Sequence, residues 1–386
     1  MKIALVTGSA GDTHCGVGDY TYELAQHLAL DAEVHLYFSR DHGPVKKPYE
    51  KLHSLFLHPL DGFSMLSLPA IKKELVNGQY DIVHIQYPSK GFGKSLLPGY
   101  LPENLAGMNS RSRIAVTLHE WSTSHPLRKL VIDQMIPRTD LFFVTNEAEM
   151  MAVSKRTKDR TIIAIPVGNV LDSQRELADV WNEAEGKPLI GWPEVQGPAT
   201  REPWSIFHYG LPAKGKGFKK MLEAMHVMRE AGKKPILYLG GEFPEGSSLR
   251  EHVLGLITEF ELTDAVVRVG HIPQDKLAQF ATRCMVGVFP FAEGFSSKRS
   301  SVASISHLEL PLVVGHGSTE EHPYYAPDEN NPTSLAVMLI DLLSGRLEKE
   351  WNEVIARQRD FARRFSFTNV ASSHLDMYNK IRKLDT

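Results

Sequence analysis

Apolar residues recur along this chain in two periods. Short, nearly continuous apolar runs at residues 3–7, 34–38, 52–57, 81–87, 113–120, 140–146 and 161–166 read as strands buried on both faces. Between most of them the apolar positions fall three and four apart, as in 69–76 and 147–155, which predicts amphipathic helices. Alternating strands and helices of this kind predict a parallel sheet covered on both sides. A second series at 205–210, 235–240, 266–270, 286–289 and 312–315 repeats the pattern. The chain is thus expected to be α/β, with two Rossmann-like doubly wound parallel-sheet domains. Residues 171–202 lose the rhythm, and Gly and Pro crowd their second half, so they read as an interdomain connection. Domains are expected at 1–190 and 191–365, followed by a terminal helix within 366–386 that opens at Ser366-Phe-Thr-Asn.

Doubly wound sheets hold ligands at the carboxyl ends of their strands. The run Phe289-Pro-Phe-Ala-Glu293-Gly294-Phe295-Ser-Ser-Lys298-Arg299-Ser300-Ser301 follows such a strand, and Val302, Ile305 and Leu308 continue it at helical spacing. It offers a carboxylate, a flexible glycine, four hydroxyls and two cations beside a helix start, an inventory that fits a phosphate-bearing ligand. Near the N-terminus, Gly8, Gly11, Gly16 and Gly18 follow strand 3–7. Their spacing is wrong for the dinucleotide fingerprint, and strand 34–38 ends in Ser39-Arg40 without the acid that would hold a ribose, which disfavours a dehydrogenase. Gln86, His119, Glu120 and Asn146 make further polar strand ends.

Composition narrows the classes. The 386 residues are 42% hydrophobic and 23% charged, enough for two cores, and the net charge of -3 gives no overall basic field for nucleic acid. Cys15 and Cys284 are the only cysteines and lack metal-ligand spacing. No apolar run approaches the ~20 residues of a membrane span, and the apolar start is too short for a signal peptide. The expected location is cytoplasmic. Peripheral membrane contact stays open, because basic residues such as Lys72, Lys73, Arg128 and Lys129 suit anionic lipid if they share a face, although an ordinary solvated surface explains them too.

Taken in order, Gly16-Val-Gly18-Asp-Tyr20, Asp81-Ile-Val-His84, Val116-Thr-Leu-His119-Glu120, Gly210 with Lys216-Gly217, Gly270-His-Ile-Pro-Gln-Asp-Lys276, Pro290 to Gly294 and Leu310-Pro311-Leu-Val-Val resemble the landmarks of retaining nucleotide-sugar glycosyltransferases of the GT-B fold, particularly family 4. The resemblance covers most of the chain. It implies two domains facing a cleft, the first holding the acceptor and the second the nucleotide-sugar donor, with the final helix crossing back to the first. It implies transfer of a sugar, a hexose by expectation, from a UDP- or GDP-sugar to a glycan or lipid-linked acceptor, as in polysaccharide biosynthesis. His119 and Glu293 match the residues at the reacting centre; Gly16, Gly210, Lys214, Lys216, Gly294, Phe295, Arg299, Ser300 and Ser301 match or neighbour donor-binding positions. No metal and no cofactor beyond the nucleotide sugar is implied. The sequence departs from the family at two points. The second glutamate of the usual pair is Ser301, and the arginine that commonly precedes the lysine is absent, Ala213 and Lys214 standing in that region. The stretch then reads as a variant in which a basic, hydroxyl-rich loop leads into a long helix, with Arg299 on phosphate; Glu309, where a glycine is usual, is expected to be exposed. The competing readings are a catalytically silent sugar-nucleotide-binding or scaffold subunit and another GT-B activity such as sugar-nucleotide epimerisation.

Overall fold

The computed structural model describes the chain except for residues 12–14, 45–46, 107–111, 123, 158, 171, 190–200, 211–212, 214, 271, 273, 298, 319–320 and 384–386. For residues 274, 275, 300 and 348 only the backbone is described. The chain forms two compact units, Met1–Lys187 with Phe365–Thr386, and Pro188–Arg364.

The first unit is built on seven parallel strands: β1 (Lys2–Val6), β2 (Glu33–Ser39), β3 (Leu55–Leu60), β4 (Ile82–Tyr87), β5 (Arg113–Leu118), β6 (Leu141–Val144) and β7 (Thr161–Ala164). Their order is β3-β2-β1-β4-β5-β6-β7, so the winding reverses between β1 and β4. Side chains alternate across a strand, and the two faces of β1 show it. Ile3 and Leu5 enter one core with Tyr20, Leu24 and Leu28, while Ala4 and Val6 enter the other with Ile71, Leu75 and Val131. Burying an aliphatic or aromatic side chain of this size contributes about 1.5 to 3 kcal/mol, which is why these strands read as unbroken apolar runs.

Two elements differ from the sequence reading. Strand β3 starts three residues later than the apolar run, because Leu52 is buried ahead of the sheet and Pro59, which has no N–H to donate, is tolerated on this edge strand. Residues Ser173–Ala184, read as connection, form a helix. Its apolar signal is thin because only Ser173 and Leu177 are fully buried; polar bonds hold it instead, with Ser173 Oγ donating to Glu23 Oε2 at 2.6 Å.

The terminal helix, Phe367–Arg382, belongs to this unit. Phe367, Val370, Ala371 and Tyr378 complete the core beside Tyr20 and Leu24. The ring of Phe367 lies where a side chain at residue 168 would stand, within 2.6 Å of the Cβ position of Gly168. Ser366 makes no capping bond of its own; the carboxylate of Glu176 accepts from Thr368 N at 3.1 Å and Ser366 Oγ at 2.8 Å and so serves the orphan donors of the first turn.

The second unit has five parallel strands, β8 (Ser205–Tyr209), β9 (Ile236–Gly240), β10 (Val266–Gly270), β11 (Val286–Phe289) and β12 (Leu312–Val314), in the order β10-β9-β8-β11-β12. Ile206, Leu237, Leu239, Val286 and Val288 share a core with Met221, Met225, Leu335 and Leu339. Here the winding reverses between β8 and β11, so the loops after these two strands flank the switch point where doubly wound sheets take ligands. Among the described residues no helix is long and apolar enough to cross a membrane.

Candidate active site

The switch point of the second unit is shaped by glycines that let its two loops touch. Gly210 follows β8 with φ +140°, and a side chain there would meet Ser301 Cβ at 3.2 Å and Lys216 Nζ at 3.6 Å. Gly217, at φ +75°, opens the helix Phe218–Glu230, and its Cβ position lies 1.9 Å from the carbonyl oxygen of Pro290, so only glycine fits. A backbone bond from Ala292 N to Gly215 O at 3.2 Å ties the two loops together. Residues 210–217 and 290–301, far apart in sequence, thus share one rim.

Two cations meet there. Lys216 Nζ lies 5.2 Å from the centre of the Phe291 ring, and Arg299 Cζ lies 4.6 Å from the same centre. Burial, and then the neighbouring Arg299, pushes the Lys216 ammonium down to about 8. Burial likewise lowers Arg299, with Glu293 opposing the shift. Arg299 Nη2 stands 3.6 Å from Glu293 Oε2, but the Glu293 side chain is 75% exposed and cannot neutralise two half-buried cations. Among the described residues, Arg299 Nε, Ser301 Oγ and Ser296 Oγ are buried without a hydrogen-bond partner. Buried polar groups are nearly always paired, so Arg299 Nε and Ser301 Oγ, together with the two crowded cations, can receive an anion with several acceptor oxygens.

Other expected residues have different surroundings. Phe295 points inward, packed against Tyr324, His322 and Phe361 with ring centres 5.0, 5.4 and 5.7 Å away, so only its backbone is left to face a ligand. Gly294, at φ +71°, is required by the loop, because its Cβ position falls 2.3 Å from Ser318 N. Lys214 lies outside the described residues. The long helix expected after Arg299 is instead a four-residue one, Ser300–Ala303, followed by turns. Its sequence is rich in hydroxyls that compete for the backbone, as Ser306 Oγ does by donating to Val302 O at 2.7 Å. So short a helix adds little dipole, and the side chains carry the site. Glu309 is not fully exposed either: it pairs with Arg359 Nη1 at 2.8 Å, and its φ of +54° explains why a glycine suits the position. Sequence reasoning missed the part played by Phe291. Phe291 sits between the loops with nothing but its place after Pro290 to mark it.

The carboxyl rim of the first unit has different contacts. Gly8 and Gly91 pack backbone against backbone, the Cβ position of Gly91 being 1.8 Å from Gly8 O, so the glycines there serve loop contact. Ser9 N donates to Ser89 Oγ at 2.8 Å, and Gly91 N donates to Ser9 Oγ at 2.9 Å. Cys15 caps the helix Gly16–Leu28, its sulfur accepting from Gly18 N at 3.4 Å. Gly16 is exposed, and no described residue comes within 4 Å of its Cβ position. His119, just beyond β5, is buried; its Nε2 lies 2.9 Å from Gln86 Oε1, and the Tyr20 ring meets it edge-on at 5.1 Å. Burial, then His374, pushes the imidazole down to about 3, so it is neutral at pH 7.

Among the described residues no group of three or more His, Cys, Asp or Glu side chains is placed to hold a metal ion. The family model for Glycosyltransferase Family 4 matches residues 15–168. Comparison with curated proteins gives no match. Solved structures similar to this chain include sucrose-phosphate synthase (tll1590) from Thermosynechococcus elongatus, at 16% identity and TM-score 0.71, covering 99% of each chain. A glycosyltransferase from Rickettsia africae has 12% identity and TM-score 0.70, again over 99% of each chain. Anabaena Alr3699/HepE, solved with UDP and glucose, has 13% identity and TM-score 0.68 over 98% of this chain and 100% of the other. Identities this low speak for the fold alone, which is GT-B. The whole chain thus has the GT-B fold, and residues 15–168 carry the match to Glycosyltransferase Family 4.

Proposed function

We propose that the protein is a retaining glycosyltransferase that takes a sugar from a UDP-sugar and passes it to a glycan or lipid-linked acceptor. The observation that carries the reading is the pair of half-buried cations on Phe291, Lys216 and Arg299, with the unpartnered Arg299 Nε and Ser301 Oγ beside them. A diphosphate supplies the missing charge and acceptors at once. UDP is the preferred nucleotide because HepE was solved with UDP and with UDP-glucose on a similar fold.

In this reading Lys216 and Arg299 hold the diphosphate and stabilise it as it leaves, a part that a metal ion plays in other transferases. Ser301 replaces the second glutamate and donates a hydrogen bond to phosphate, so the ribose contact passes to backbone groups. Glu293, exposed at the rim, reaches the sugar hydroxyls. His119, neutral, orients the transferred sugar. Transfer proceeds on one face, the departing phosphate taking the acceptor's proton, so positioning and charge stabilisation do the chemistry and no protein nucleophile is needed. Exposed Leu127 and Leu130 beside Arg128, on the helix Pro126–Met135, support peripheral contact with a lipid surface that presents the acceptor.

The test is turnover. Purified protein incubated with UDP-glucose or UDP-N-acetylglucosamine should release UDP, faster when a suitable acceptor is added. Tight UDP binding with no release across a broad acceptor panel would overturn the transferase reading in favour of a binding subunit.

A further inference from the structure

The buried polar chain that runs from the terminal helix to His119 goes beyond this reading while resting on His119 as the sugar-orienting residue. Five side chains take part. His84 and Gln86 stand two apart on β4 and so share a face of the sheet, and β5 brings Thr117 alongside and His119 just beyond. Tyr378 comes down from the terminal helix. All are buried. His119 Nε2 lies 2.9 Å from Gln86 Oε1; Gln86 Nε2 lies 3.2 Å from His84 Nε2; and His84 Nδ1 lies 2.5 Å from the Tyr378 hydroxyl. Thr117 Oγ1 adds a second contact, 2.7 Å from His84 Nε2.

We propose that Gln86 is a positioning residue for His119, fixing its proton on Nε2, and that His84 and Tyr378 hold Gln86 in the orientation that does so. A carboxamide has one accepting end and one donating end. Its oxygen can only accept, so the His119 nitrogen facing it carries the proton. Its NH2 can only donate, and it lies 3.2 Å from His84 Nε2 and 3.5 Å from His84 Nδ1, so the nearer nitrogen receives it while His84 Nδ1–H donates to the Tyr378 oxygen. The amide thus ties the two imidazoles together, and turning Gln86 over would reverse the His119 tautomer. Tyr20, edge-on to His119 at an interplanar angle of 77°, holds the ring in place.

The consequence for transfer is one of polarity. With its proton committed to Gln86, the neutral His119 ring has only the Nδ1 lone pair to offer, so it meets a donor-sugar hydroxyl as an acceptor. A ring free to exchange tautomers would present an N–H for part of the time and mismatch that hydroxyl.

The tautomer can be read without any turnover, which separates failure of this inference from failure of the transferase reading. In the 15N-labelled full chain, the two-bond 1H–15N imidazole pattern of His119, identified by its loss in His119→Ala, should be that of the Nε2–H form. Gln86→Leu should give a mixture of tautomers and lower kcat roughly tenfold, the loss of one oriented hydrogen bond, with UDP affinity unchanged. Gln86→Glu, which keeps an accepting oxygen toward His119, should retain the Nε2–H pattern; it also decides the matter if the leucine variant does not fold. An Nδ1–H pattern in the parent protein, or a Gln86→Leu protein with the parent's tautomer and kcat, would overturn the inference.

Discussion

The two rims of this protein are built on opposite electrostatic plans. At the second unit's switch point, Lys216 and Arg299 crowd one aromatic ring, and polar atoms beside them lack partners. On the first unit's rim, just beyond β5, His119 is neutral and its Nε2 is already bonded. One site crowds two cations together; the other has fixed its hydrogen bonds in advance. On the proposed function this is a division of labour: affinity for the nucleotide would be stored as electrostatic imbalance in one unit, and orientation of the transferred group as preset geometry in the other. Each kind of site fails in its own way when altered, so the comparison can be broken or sharpened residue by residue.

The largest effects should fall on turnover. Glu293→Gln and His119→Ala should each lower kcat by about two to three orders of magnitude, the usual loss on removing one group aimed at the transition state, while UDP affinity stays nearly intact. Steady-state kinetics beside calorimetry checks this, and a parallel loss of UDP binding by His119→Ala would erase the proposed division.

A pH effect comes next and belongs to the charged rim alone. Lys216 titrates near 8 in the empty protein, well below the ordinary lysine value, and only its protonated form attracts a diphosphate. UDP affinity should therefore fall as pH rises through about 8, by at most tenfold per unit. The sign for stability is opposite. Because the folded-state pKa is depressed, the unfolded chain holds more protons between about 8 and 10.5, so this residue's contribution to stability rises with pH across that window. Lys216→Met should flatten both curves in UDP titrations and thermal melts.

Smaller changes probe the loops. Gly217→Ala places a methyl against the Pro290 carbonyl in a left-handed backbone and should cost about 1 to 3 kcal/mol in a denaturant melt, with UDP binding falling in step. Ser301→Ala removes one neutral donor and should weaken UDP by several-fold, since such a bond contributes about 0.5 to 1.5 kcal/mol. An unchanged affinity would mean that Ser301 does not touch phosphate.

Much of the fold was legible in the sequence because strands buried on both faces leave unbroken apolar runs. All twelve strands of the two series are found in the structure, and β3 lies three residues later than its apolar run. The helix Ser173–Ala184 was not legible, since it is held by polar bonds to Glu23 that no apolar period records. At the site, a landmark pointed to Lys216 and the basic, hydroxyl-rich run that departs from the family pattern pointed to Arg299 and Ser301; the three lie on one rim. Phe291 was invisible because its role comes from two cations reaching it along different loops, a fact of topology. The helix after Arg299 was overestimated because the spacing of Val302, Ile305 and Leu308 fits a helix, whereas hydroxyls competing for the backbone end it after four residues.

The central claim is that Lys216 and Arg299 together hold the diphosphate of a UDP-sugar. Calorimetric titration of UDP and of uridine into the parent, Lys216→Met and Arg299→Ala proteins tests it most directly. A charge-assisted hydrogen bond contributes about 1.5 to 3 kcal/mol, and ~1.4 kcal/mol is tenfold, so each variant should bind UDP roughly ten- to a hundredfold more weakly while uridine, which has no phosphate, binds as in the parent. UDP affinity unchanged in either variant, or uridine weakened as much as UDP, would contradict the account.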